Sequence, residues 1–158
     1  MASETKASIL RLLAETHANT RAAIAACPGG MGAVVYPDSG WRVREVVAHL
    51  EGWDRVLIEG FRAYLEGREV VVPGAEDFDV FNAQVLARCE SWSDGAVLRA
   101  WESTHAELWA VLEAIPAERF GDEMLFAWNE RGRICDIMEG MAGHEALHCQ
   151  DILKAVEG

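Results

Sequence analysis

Four stretches of this sequence repeat apolar residues at intervals of three and four. That period builds amphipathic helices and excludes half-buried strands, whose apolar positions alternate. The clearest stretch starts near Trp41, after Asp38-Ser39-Gly40, and carries Val46, Leu50, Trp53, Leu57, Phe61 and Tyr64 on one stripe. From Ser3 to about Cys27 the positions are Ile9, Leu13 and Ile24, with Leu10 and Leu12 beside them, and Pro28-Gly29-Gly30 ends the helix. Ser93 reads as the N-cap of a third long helix reaching Ile115, with Val97, Trp101, Leu108 and Leu112 in register and Pro116 as its stop. A last helix runs from about Arg133 to Val156 with Ile134, Ile137, Met141, Ile152 and Ala155 on its face. Residues 67–92 are less regular: a Val70-Val71-Val72 run, which as a lone strand has no partner, and a short helix from Phe78 to about Leu86. Each long helix has one stripe to bury, so the expected fold is all-α, a four-helix bundle with a long crossover between helices two and three.

The 158 residues make one domain's worth of chain, 1–158, and 51% hydrophobic with 25% charged is an ordinary globular composition. With 26 acidic and 14 basic side chains the formal charge is −12, which argues against nucleic acid and anionic membrane as partners, because both require clustered Lys and Arg. No stretch approaches the roughly 20 apolar residues of a membrane span, and the opening Met-Ala-Ser-Glu-Thr-Lys lacks a signal-peptide pattern. Cys27, Cys89, Cys135 and Cys149 form no CxxC pair, and Cys135 and Cys149 are too far apart on one helix to bond. A cytoplasmic, reducing setting is the expectation.

The chemistry-bearing residues are histidines. At ~100° per residue, His144 and His148 lie about 40° apart, in the same sector as Ile137, Met141 and Ile152. One inward histidine is ordinarily a core imidazole satisfied by hydrogen bonds, whereas two at i and i+4 present two nitrogens to one metal ion. His49, one turn before Trp53, is the best third ligand from a facing helix. His105 reads as a core or rim histidine in preference to a fourth ligand, and His17, with no partner, as structural or exposed. Asp151, about 20° from His144, either orients a ligand or bound water or is a surface residue at the helix end. Trp53 packs in the core and can also wall a pocket beside His49, while Cys149 projects about 100° from His148 and reads as packing. The run His144-Glu145-Ala146-Leu147-His148 matches HExxH, but the metzincin extension needs Gly and His at fixed offsets, where this chain reads Cys149-Gln150-Asp151-Ile152. Glu145 is therefore read as a solvated or helix-pairing carboxylate.

The run from Trp41 to Leu50, Trp-Arg-Val-Arg-Glu-Val-Val-Ala-His-Leu, resembles the opening of helix two in the DinB-like superfamily, which includes the N-terminal domain of mycothiol-dependent maleylpyruvate isomerase. His144-x-x-x-His148-x-x-Asp151-Ile152 is similar to that family's last-helix motif, and Phe81-Asn82-Ala83 falls in the same order. The resemblance implies a bundle whose second and third helices run parallel across a long crossover. It also implies a zinc or nickel ion held by His49, His144 and His148. Characterised relatives include transferases and isomerases that use mycothiol, bacillithiol or glutathione, and relatives often dimerise. This chain carries His at 144 where the isomerase group has Glu, and Asp at 151 where DinB-like sequences often have Gln. As a single domain over 1–158, it is expected to be without that isomerase's C-terminal domain.

Three neutral ligands leave a dication most of its charge and an open position, at which it binds a thiol as thiolate or lowers the pKa of a water. The expected function is thus a metal-dependent, thiol-using S-transferase or isomerase acting on a small molecule. The alternatives are a metal-dependent hydrolase and a non-catalytic bundle that captures a small molecule or metal.

Overall fold

The computed structural model describes residues 1–157. Its helices are α1 (Ala2–Ala26), α2 (Val43–Leu65), α3 (Phe78–Cys89), α4 (Asp94–Ala114) and α5 (Ile134–Glu157). The four long ones, α1, α2, α4 and α5, are the bundle the periodicity predicts, and α3 is the short helix inside the crossover. Ser93 caps α4 as expected, its hydroxyl accepting the Ala96 N–H at 3.1 Å. Asp77 caps α3 in the same way, accepting from the N–H groups of Asp79 and Val80. At the start of α2 the Glu45 carboxylate reaches back to the Arg42 N–H at 2.9 Å.

Cross-helix contacts fix the directions. Arg44 meets Asp94, Glu51 meets Thr104 and Arg62 meets Glu107, so α2 and α4 advance together and are parallel. Lys6 bonds the carbonyls of Glu113 and Ile115 while Arg21 bonds Glu102, so α1 and α4 are antiparallel. His49 faces His144 and His148 near the start of α2 and the end of α5. Leu57 and Met138 share the core nearer their other ends, so these two helices are antiparallel as well. This opposition brings residues 95 positions apart into one site.

Two antiparallel hairpins join the helices, and the helical period does not reveal either. The first pairs β1 (Val34–Tyr36) with β2 (Trp41–Arg42). The second pairs β3 (Glu123–Phe126) with β4 (Glu130–Arg133) across the turn Ala127-Trp128-Asn129, in which Asn129 adopts φ 65°. A left-handed residue closing a three-residue hairpin loop suits Asn, whose short side chain tolerates that region. Val70–Val72 forms no strand. Its one ladder-like link is the Val72 N–H donating to the Ala127 carbonyl at 2.7 Å, which ties the crossover to the second hairpin.

The stripes of α2 and α4 are buried as read, with Val46, Leu50, Trp53, Leu57 and Phe61 facing Val97, Trp101, Leu108 and Leu112. On α5 the buried line lies one residue further along: Ile134, Met138, Ala142, Glu145, Cys149 and Ile152. Ile137 and Met141, with His144 and His148, run along its half-buried edge. The carboxylate of Glu145 within the buried line hid its apolar character. One charge is fully interior: Glu51, 1% exposed, is bonded by Arg55, by Arg88 at 2.5 Å and by the Thr104 hydroxyl at 3.1 Å. Pairing of this kind is what makes a buried carboxylate tolerable.

His17 and His105 belong to the α1–α4 seam. His17 is 2% exposed, the structural one of the two alternatives read for it, but it is not without a partner. Its ring stacks on His105 with centroids 3.6 Å apart, and its Nε2 bonds Glu102 at 3.0 Å. Arg21 grips the same carboxylate through two nitrogens, each at 2.8 Å. Arg21, and then His17, hold the Glu102 carboxyl down at about 2, from an ordinary 4.5. A carboxyl depressed on folding stabilises the fold above its unfolded pKa, and the contribution fades as pH falls toward the folded value. Solvent screening of this half-exposed group reduces the effect to about 1 kcal/mol. Glu102→Gln is therefore expected to lower stability by about that amount at pH 7, with the difference closing between pH 4.5 and 2 in urea-unfolding midpoints.

Candidate metal centre

His49 comes from the buried side of α2, and His144 and His148 lie one turn apart on α5, so the antiparallel crossing aims three imidazoles at one point. They meet through the same atom. Nε2 of His144 is 3.3 Å from Nε2 of His49 and 3.0 Å from Nε2 of His148, and the three nitrogens all fall within 4.8 Å of one another. The opposite face of two of these rings is anchored. His49 Nδ1 lies 2.9 Å from Asn82 Oδ1, and the same oxygen accepts the Trp53 indole N–H at 2.9 Å. Indole nitrogen only donates, so the Asn82 oxygen is identified by its partner and His49 must carry its hydrogen on Nδ1. His148 Nδ1 is 2.8 Å from the Tyr36 hydroxyl, which donates its own hydrogen to Asp151 Oδ2 at 2.6 Å. His148 is therefore also an Nδ1–H tautomer, and both rings present a bare Nε2 lone pair to the centre.

Such a cluster suits a cation and little else. Burial pushes His49 down to about 3, helped by its two histidine neighbours, and His148 down to about 4; burial lowers His144 too. All three are neutral at pH 7. A hydrogen on His144 Nε2 can serve one neighbour and leaves the other lone pair opposed. Nitrogen ligands on a tetrahedral zinc, with bonds of about 2.0–2.1 Å, stand about 3.3 Å apart, close to the spacings found here. The donor set thus fits a divalent ion with three nitrogens and open positions.

Asp151 touches no ligand ring itself; it acts on His148 through Tyr36, and both Asp151 and burial push the Tyr36 hydroxyl up from its ordinary pKa. Trp53 takes both roles read for it, being buried and also walling the cavity beside His49. That cavity, about 330 Å³, is lined by His49, His144, Asn82 and Met141 together with the rings of Trp53, Phe78 and Trp128, and by Glu130. His105 stands with His17 on the α1–α4 seam and is not among the three converging rings. Cys149 is buried packing, and all four cysteines are free.

Glu145 corrects the sequence reading. It is 9% exposed, not solvated, and burial raises its carboxyl to about 7. It does not line the cavity on which His49 and His144 open, where the general base of a HExxH protease would have to stand. It lines instead, with Asp54, a void of about 20 Å³ in the bundle interior. Asp54 is raised well above its ordinary value, first by burial and then by the charges of Glu145 and Glu51.

Tyr36, Asn82, Phe78 and Trp128 escaped the sequence reading as site residues. Tyr36 lies on a three-residue strand, too short for any periodicity. Trp128 was legible in principle, because Met124 and Phe126 alternate inward before an Asn suited to a left-handed turn. Asn82 and Phe78 lie on the exposed-looking turns of α3, where helical period gives no reason to single them out.

Two outcomes follow from this geometry. Asn82→Ala and Tyr36→Phe, each removing a partner that fixes a ring's tautomer, are expected to weaken metal affinity by about 10- to 100-fold in chelator competition while leaving the circular dichroism unchanged. Asp54 has a raised carboxyl pKa, so its ionisation opposes folding increasingly as pH rises above 3.8. Asp54→Asn should therefore be more stable than the parent at pH 8, and the gain should vanish near pH 3, as read from urea midpoints of metal-free protein.

Comparison with known proteins adds the family. Searches among curated proteins and among solved structures return no match. No helix among the described residues is long and apolar enough to cross a membrane. The family model of the DinB superfamily matches residues 11–152, which takes in all three converging histidines and both residues that anchor them through Nδ1. The chain belongs to the DinB superfamily.

Proposed function

We propose that the protein is a divalent-metal-dependent enzyme that uses a low-molecular-weight thiol in S-transfer or isomerisation of a small molecule. One observation carries the metal reading: three Nε2 atoms converge at 3.0 and 3.3 Å, and two of the rings are locked as Nδ1–H tautomers. His49, His144 and His148 hold the ion, zinc or nickel. When bound, it supplies a Lewis acid on which a thiol is held as thiolate at neutral pH.

The chain's own residues do the remainder. Asn82 and Tyr36 keep the ligand rings aimed and their basicity high, Asp151 through Tyr36. Burial lowers the pKa of all three ligand histidines, which keeps their nitrogens free of protons at neutral pH. Trp53 and Trp128 line the cavity on which His49 and His144 open and would give a small-molecule substrate an apolar wall there. The thiol reading, with mycothiol, bacillithiol or glutathione as co-substrate in the cytoplasm, rests on the family's characterised members.

Protein prepared without a histidine tag is expected to carry about one equivalent of divalent metal per chain, and His49→Ala to lose it. A metal-free parent, or a metal content indifferent to His49→Ala, overturns the site. In cobalt-substituted protein, addition of the correct thiol should shift the visible bands and add a thiolate-to-metal absorption. Unchanged spectra with all three thiols would replace thiol transfer with hydrolysis or with capture without turnover.

A further inference from the structure

The composition of the cavity wall identifies what lies beside the metal. Of its eight lining residues, three are aromatic and one is Met, and Glu130 is the one acidic side chain among them. No Lys or Arg reaches it. The rings form a built pocket. Phe78 and Trp128 stand at 87° and 76° to Trp53, with centroids 5.1 and 6.1 Å away. Each indole is supported from outside the cavity, Trp53 by Phe81 at 4.7 Å and Trp128 by Phe126 at 5.0 Å. Phe78 is 55% exposed on the free protein, an apolar ring held at the cavity mouth with no core to bury it.

One polar group interrupts this wall in a fixed orientation. Asn82 spends its carbonyl oxygen on His49 and Trp53, so the amide cannot flip, and its Nδ2 keeps both hydrogens for a guest. Glu130 is tied to the Trp128 indole N–H at 2.8 Å and holds negative charge at the rim. With no Lys or Arg in the wall, a carboxylate or phosphate entering here would have only the ion on the histidines to replace its lost water and would meet Glu130, while an alkylammonium would face that ion's charge. A void of about 150 Å³ accommodates benzene, so 330 Å³ holds a substituted ring.

We propose that the substrate is an uncharged, ring-sized apolar molecule carrying one hydrogen-bond acceptor, received between Trp53, Phe78 and Trp128 with the acceptor on Asn82 Nδ2. This names the substrate class of the enzyme proposed above and rests on that reading for its catalytic meaning. The pocket itself is tested without metal. Carboxylate-bearing parts of a thiol co-substrate must then lie outside this cavity.

The test uses acetophenone, which is uncharged and carries one acceptor, against benzoate, its anionic counterpart, and ethylbenzene, which has no acceptor. Binding is read from the indole N–H resonances of Trp53 and Trp128 in metal-free protein. Acetophenone should shift both and bind at least tenfold tighter than benzoate and several-fold tighter than ethylbenzene. Phe78→Ala, at an exposed ring that the fold does not need, should weaken it several-fold, and Asn82→Ala should abolish its advantage over ethylbenzene. Benzoate binding as tightly as acetophenone, or no shift of either indole, overturns the inference. Loss of the metal site with acetophenone binding intact would instead sink the enzyme reading and leave the pocket standing.

Discussion

Three imidazole Nε2 atoms pointed at one another, with at most one hydrogen among them, organise this molecule. Imidazole nitrogens at 3.0 and 3.3 Å without a hydrogen for each pair repel, and the bundle holds them there only because packing on every other side is settled. Val46, Val47 and Leu50 fix the turn of α2 that carries His49, and Ala142, Glu145 and Cys149 fix the turn of α5 that carries the other two. The anchoring oxygens of Asn82 and Tyr36 then turn a repulsive cluster into a set of donors with one purpose. A bundle optimised for stability alone would place apolar side chains at all three positions, and the stability forgone reflects function in the usual sense.

Much of this was legible in the sequence, for a definite reason. Helical period reports burial, and the stripes read on α2 and α4 are apolar even though His49, Glu51 and Thr104 are buried beside them, so those stripes and the ends of α4 match the structure to within a residue or two. The same logic erred on α5, where a carboxyl occupies the middle of the buried line. The eye then follows the half-buried row from Ile137 to Met141 and on to the histidines. That shift does not change which residues converge, because the row that was picked out is the one that borders the cavity.

What was not legible comes from short elements. Two hairpins with strands of two to four residues, and a twelve-residue helix in the crossover, deliver Tyr36, Trp128, Phe78 and Asn82. Their positions depend on tertiary contacts such as the Val72 to Ala127 bond, which leave no period in the sequence. The ligands sit on the regular part of the chain and could be counted on a helical wheel. The groups that aim them sit on the irregular part and could not.

The twelve residues of α3 carry a consequence of their own. Phe78 opens the cavity, and one turn later Asn82 touches both the guest side and the back of His49. Anything that settles this helix against α2 therefore also steadies a metal ligand, and a bound ion that fixes His49 steadies the helix in return. Were both positions occupied, any coupling between them through Asn82 would be reciprocal by thermodynamic necessity. The β3–β4 turn that carries Trp128 supplies the opposite wall without contacting a ligand's anchor. Variation in that turn can retune what the cavity accepts with less direct effect on the metal ligands than variation in α3, which carries the anchor of His49 itself.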